Sequence, residues 1–125
     1  MDWHTISADE DLKDANKFEL ESMKKVGLIG EIAPRYRTTY FAHIFSGGYS
    51  SGYYSYVHAA VLDSDAFEAF KEVGDVFDKD LASKLRATIY SKGSTEEAMD
   101  LFVQFRGRKA SIEPLLKVRG LDGSE

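Results

Sequence analysis

Five glycines, Gly27, Gly74, Gly93, Gly107 and Gly120, each follow a stretch whose apolar residues recur at helical spacing, and that punctuation limits what the chain can fold into. Glycine reaches the left-handed conformation that closes a helix at little steric cost, so such a chain reads as short helices joined by short connections. Before Gly27, the capping-box spacing of Ser7-Ala-Asp-Glu10 and the apolar series Leu12, Ala15, Phe18, Met23 and Val26 predict a helix of about twenty residues. A second helix is expected from Tyr49 or Ser50 through Tyr53, Tyr56, Val57, Ala60 and Val61, with Asp63 or Ser64 as a break before Phe67 and Phe70. Asp78 opens a third, with Leu81, Leu85, Thr88 and Ile89 as its apolar stripe. Ser94-Thr-Glu-Glu97 has the spacing of another capping box, leading into Ala98, Leu101, Phe102 and Phe105. Ser111, with Pro114 in the first turn, opens a fifth. Thr38 to Phe45, rich in threonine and aromatics, has strand character, but no segment after Gly52 alternates with period two. The expected fold is all-α, about five helices with short Gly-capped connections.

At 125 residues and 43% hydrophobic content the chain is sized for one domain, residues 1–125. A net charge of -5, with Arg106, Arg108 and Lys109 as the one short basic cluster, argues against a nucleic-acid partner. The absence of cysteine excludes disulfides and thiolate chemistry. No run approaches the roughly 18 apolar residues of a membrane span. Met1-Asp-Trp-His-Thr lacks the basic start and apolar core of a signal peptide, so a cytoplasmic location is expected.

Chemistry concentrates between Tyr40 and Tyr56, where aromatics, glycines and His43 fall together. Tyr49, Tyr53 and Tyr56 stand at i, i+4 and i+7, which puts three phenols on one face if the stretch is helical. Beside Gly47, Gly48 and His43, such a row could grip a polar substrate; the same spacing also serves plain core packing. Arg35-Tyr-Arg37 reads equally as a solvated face or as a carboxylate clamp. Gly48-Tyr-Ser-Ser-Gly52 has the G-x-S-x-G pattern of a nucleophile elbow, but the only later histidine, His58, follows too closely to return from a separate loop after an acid. The glycines lack the lysine of a phosphate loop, and His4, His43 and His58 lie far apart with no H-E-x-x-H pair, so the chain's own residues supply no zinc site.

The run His43-Ile-Phe-Ser-Gly-Gly-Tyr-Ser-Ser-Gly-Tyr-Tyr-Ser-Tyr56 resembles the family of zinc metallopeptidases that contains thimet oligopeptidase, neurolysin, oligopeptidase A and bacterial peptidyl-dipeptidase, the last most of all. The likeness extends to Trp3-His-Thr, Gly27-Leu-Ile-Gly-Glu-Ile-Ala-Pro-Arg-Tyr-Arg37, Phe105-Arg-Gly and Leu115-Leu-Lys-Val-Arg-Gly-Leu121, similar to the family's closing segment. It implies the C-terminal portion of a larger helical catalytic domain, without the H-E-x-x-H segment, whose full-length form uses zinc. By the same resemblance His43 and Tyr56 are catalytic, stabilising the oxyanion of peptide hydrolysis. Tyr49, Tyr53, Gly47 and Gly48 are substrate-binding. His58 departs from the tryptophan the family commonly has there. The chain is therefore expected to contribute a His/Tyr wall for peptide-bond hydrolysis and to be inactive without the zinc-binding portion. Its expected partners are a peptide substrate, that missing portion, and further copies of itself through an exposed apolar face. The alternative is a stand-alone helical module that binds a peptide or protein without catalysis.

Overall fold

The computed structural model describes residues 14–123, and among these every regular element is helical. The α-helices are α1 (Ala15–Lys25), α2 (Ala42–Phe45), α3 (Ser55–Val73), α4 (Lys79–Leu85), α5 (Ala98–Arg106) and α6 (Glu113–Val118). Leaving aside the four-residue α2, they are the five that the glycine punctuation predicts. Gly27, Gly74, Gly93, Gly107 and Gly120 all have positive φ, between 51° and 84°. After α1 and α6 the closure is complete: Leu28 N–H reaches the Met23 carbonyl at 3.0 Å and Leu121 N–H the Leu116 carbonyl at 2.9 Å, so orphan carbonyls at both ends are satisfied. The chain divides into two compact units, Met1–Tyr54 and Ser55–Glu125.

In the first unit α1 begins one residue after Asp14, whose carboxylate accepts from the amides of Asn16 and Lys17 at 3.0 and 3.1 Å. It runs 11 residues rather than about twenty; the expected cap at Ser7 lies outside the described residues. Its inward side chain is a carboxylate. Glu19, 2% exposed, takes the Thr38 backbone N–H at 2.7 Å and the Thr38 hydroxyl at 2.8 Å, and pairs with Arg37. Burial pushes its pKa up, but the two Thr38 donors and the Arg37 guanidinium outweigh that and hold it below the ordinary value.

Thr38 to Phe45 is not a strand. Thr38–Tyr40 forms a 3₁₀ turn and Ala42–Phe45 the helix α2. The Thr38 amide, which a sheet would have engaged with a neighbouring strand, is committed together with the Thr38 hydroxyl to the Glu19 carboxylate of α1, and this side-chain claim removes a donor that a ladder would need.

The second unit is built on α3, which packs against α5 and α6, while the continuation of α4 packs on α5. Phe102 and Phe105 are each 2% exposed, edge to face with centroids 6.5 Å apart, and Phe105 packs with Ala69 and Phe70 of α3; Leu115 of α6 is buried as well. Ala66, Leu81, Leu85 and Ile89 complete this core. The inward stripe expected on α4 and the Leu101, Phe102 and Phe105 face of α5 are therefore as the periodicity predicts. Ala98 and Phe67 are exposed.

Three details differ. Helix α3 begins at Ser55, not Tyr49 or Ser50, and runs unbroken past Asp63 and Ser64 to Val73. The Ser94–Glu97 box does not form. Gly93–Thr95 makes a 3₁₀ turn, Glu97 occupies the cap position without a side-chain bond, and Glu96 is drawn instead to Lys92 and Gln104 at 2.8 and 2.7 Å. Finally, Ser111 accepts from the Glu113 amide at 3.2 Å although the cap position itself is Ile112.

The reason α3 continues past its acidic residues is Asp65, which is 0% exposed. Its carboxylate accepts from Arg108 at 2.6 and 2.7 Å, from the Ser111 amide at 2.7 Å and from Arg106 Nε at 3.1 Å. Burial raises its pKa, and the Arg108, Ser111 and Arg106 donors together overcome that, leaving the carboxyl below its ordinary value. Arg106 also makes a two-pronged pair with Glu72, 2.6 Å on each side. What composition showed as a basic cluster is thus largely the counter-charge of one buried aspartate.

Candidate functional site

In the first unit, Tyr36, Phe41, His43, Tyr49 and Tyr53 gather around one another, all half-buried. The His43 ring lies 5.3 Å from Tyr36, 6.0 Å from Phe41, 6.0 Å from Tyr49 and 5.3 Å from Tyr53. Phe41 and Tyr53 meet edge to face at 4.6 Å, and Tyr36 stacks on Phe41 at 5.0 Å. Such offset and edge-on geometries suit ring quadrupoles, so the cluster is held by its own aromatic contacts. It presents three phenols and an imidazole, each able to donate or accept a hydrogen bond.

Local folding places these rings. Helix α2 ends where Ser46 leaves helical geometry, at φ -134°, while its amide and hydroxyl both still reach the Ala42 carbonyl, at 2.8 and 3.0 Å. The chain then bends through Gly47 and Gly48 until the Tyr49 amide reaches the His43 carbonyl at 3.1 Å. Gly48 has φ +75°, and Gly47 lies directly on the His43 backbone. This glycine bend carries Tyr49 back beside His43. Another turn, closed by Gly52 N–H on the Tyr49 carbonyl at 3.3 Å, brings Tyr53 to the same cluster.

Of the residues singled out in the sequence, His43, Tyr49, Tyr53, Gly47 and Gly48 come together in the first unit. Tyr56 belongs to the second unit, in the first turn of α3, and is 50% exposed. Tyr49, Tyr53 and Tyr56 do not form one helical row, because Tyr49 and Tyr53 precede the helix; the glycines favour turns where helical spacing suggested a continuous face. Tyr36 and Phe41 were not singled out, yet they complete the cluster. The signal was present in the aromatic density from Tyr36 to Phe45, but its spacing matches no regular period because the chain turns at Thr38–Tyr40. Ser50 follows no strand among the described residues, and His58 is exposed on α3, so the context a nucleophile elbow requires is missing there.

Two grooves border the cluster. One, of about 230 Å³, is lined by Phe41, Ile44, Tyr49 and Tyr53. The other, of about 300 Å³, is lined by Met23, Pro34, Arg35, Tyr36, Phe41 and Tyr53. Among the described residues no three histidine, aspartate or glutamate side chains converge as a metal site. The zinc that the resemblance implies therefore has no fitting ligand set there, and the chemistry of these residues is that of hydrogen bonding and aromatic contact. No described helix is long and apolar enough to cross a membrane.

A half-buried histidine ringed by tyrosines beside a glycine bend, carried on an all-helical chain, is the setting in which likeness to known proteins becomes informative. Residues 1–121 match the model of Peptidase family M3, and the chain belongs to that family. It is 37% identical over 123 residues to dipeptidyl carboxypeptidase of Escherichia coli (strain K12), covering 98% of this chain and 18% of that protein. Oligopeptidase A of the same organism is 46% identical over 83 residues, 66% of this chain and 12% of that protein. Organellar oligopeptidase A of Arabidopsis thaliana is 48% identical over 84 residues, 65% of this chain and 11% of that protein. The chain thus spans less than a fifth of the length of these relatives.

Proposed function

We propose that this chain supplies the peptide-binding and oxyanion-stabilising wall of a peptidyl-dipeptidase-like M3 peptidase, as the C-terminal portion of its catalytic domain, and does not hydrolyse peptides by itself. The single observation that carries this is the packing of His43 against the rings of Tyr36, Phe41, Tyr49 and Tyr53. For His43 and for Tyr56, each on its own unit, the proposed role is that of an oxyanion-stabilising hydrogen-bond donor; such bonds strengthen most in the transition state and so accelerate the reaction. Tyr49 and Tyr53 bind the peptide backbone, and Gly47 and Gly48 let the loop approach it closely. Zinc and the residues that hold it belong, on this account, to the portion of the relatives' length that the chain does not span. The setting is cytoplasmic.

Titrating a short peptide into the chain while following the aromatic resonances tests the binding half of this. The expected result is a saturable shift of the His43, Tyr49 and Tyr53 signals that His43→Ala reduces. Shifts confined to residues of the second unit away from Tyr56 would overturn it.

A further inference from the structure

Phe77, in the turn between α3 and α4, is 84% exposed, yet its backbone is pinned. The Phe77 N–H donates to the Asp75 carboxylate at 2.8 Å and the Asp78 N–H to the Asp75 carbonyl at 3.2 Å. The Asp78 carboxylate in turn takes the Leu81 amide at 2.7 Å, which ties the turn to the start of α4. A ring presented from backbone already ordered gives up little further freedom when it docks.

The same unit carries an apolar hole of about 260 Å³ where α3, the continuation of α4 and α5 meet. Its walls include Leu62, Leu85, Ile89, Leu101 and Phe102, and Asp63 is the one charged residue that lines it. A cavity of about 150 Å³ with such walls is enough to hold a benzene ring. Phe77 of the same copy does not line the hole. Lys79 stands two residues beyond the Phe77 ring, and neither its ammonium nor the Asp63 carboxylate has a hydrogen-bond or ion-pair partner among the described residues. One surface thus offers a ring with a cation beside it, and another offers an apolar hole with an anion at its rim.

We infer that the hole receives Phe77 of a second copy of this chain, with that copy's Lys79 meeting Asp63. This concerns the second unit alone and does not rest on the peptide-wall reading. One ring and one rim charge make a small contact of the transient kind, with a dissociation constant on the order of 0.1–1 mM. Because each copy holds one knob and one hole, copies can join in series.

Sedimentation of the chain carrying Leu20→Glu and Ile29→Glu, which remove exposed apolar surface from the first unit, isolates this contact. In that background concentration-dependent association is expected. Phe77→Ala weakens it tenfold or more, and so does Ala98→Trp, which blocks the hole from an exposed wall. Lys79→Ala weakens it about two- to fivefold. An equimolar mixture of the Phe77→Ala and Ala98→Trp chains, one keeping its hole and the other its knob, is expected to form dimers and nothing larger. A background chain that stays monomeric at 1 mM, on the order of the expected dissociation constant, overturns the inference. Association that survives Phe77→Ala overturns it too, as does a mixture that fails to re-form dimers.

Discussion

The backbone of Gly47 lies against that of His43 so closely that a Cβ at position 47 would stand 3.0 Å from the His43 carbonyl oxygen and 3.1 Å from its Cα. The next residue is constrained differently. Around Gly48 there is open space, but its φ of +75° is one that side chains resist. Two adjacent glycines are therefore needed for separate reasons, one for contact and one for conformation. Together they hold Tyr49 beside His43.

These two glycines make separable predictions. Gly47→Ala forces the bend away from His43 at a cost of about 1–3 kcal/mol, typical of overpacking, and disturbs the Tyr49 amide bond. Gly48→Ala costs about 1–2 kcal/mol through φ alone. Amide resonances and thermal unfolding check both. A Gly47→Ala variant with the Tyr49 amide and the His43 ring unmoved would contradict the contact.

Acid should weaken both units through their buried carboxylates. Glu19 and Asp65 are held below their ordinary values of 4.5 and 3.8, so each contributes stability that is complete above those values and lost as pH falls through the lower folded-state values. Urea unfolding is expected to show little change from pH 7 to about pH 5 and a decline below about pH 4. Asp65→Ala leaves the Ser111 amide and the partly exposed Arg108 without this acceptor while Arg106 keeps Glu72, and should cost about 1–3 kcal/mol at pH 7 and flatten the acid decline of the second unit. Stability of Asp65→Ala equal to that of the unmodified chain would refute the role given to this carboxylate.

Much of the fold was legible because helix closure is local. Gly27 and Gly120 announce their own turns, and the inward Leu101, Phe102 and Phe105 follow from spacing alone. Partnerships distant in sequence were not. Nothing around Glu19 signals that its carboxylate will capture Thr38, nor around Asp65 that Arg108 and Ser111 will close on it, since each pair is joined by the fold and not by a helical repeat. Those same captures explain two misread elements, the absent strand at Thr38 and the uninterrupted α3. At the site, His43, Tyr49 and Tyr53 could be picked out by residue type. Tyr36 and Phe41 could not, because it is a turn and no periodic element that brings their rings in.

Apolar exposure points to association. Leu20, Ile29 and Ile32 are each more than half exposed around a groove of about 480 Å³ in the first unit, and Phe77 in the second is 84% exposed. Surfaces of this kind usually meet another surface. Sedimentation at rising concentration is expected to show a mass above the monomer's 14.0 kDa that Leu20→Glu together with Ile29→Glu lowers. A strictly monomeric chain at high concentration would contradict this.

The most direct measurement is hydrolysis of an internally quenched peptide by the purified chain, alone and after mixing with a separately produced upstream portion of an M3 relative. We expect no hydrolysis alone, hydrolysis on mixing, and a loss of about a hundredfold in Tyr56→Phe, the size expected when one oxyanion donor is removed. Chelator-sensitive hydrolysis by the chain alone, or activity in the mixture that Tyr56→Phe and His43→Ala both leave unchanged, would contradict the account.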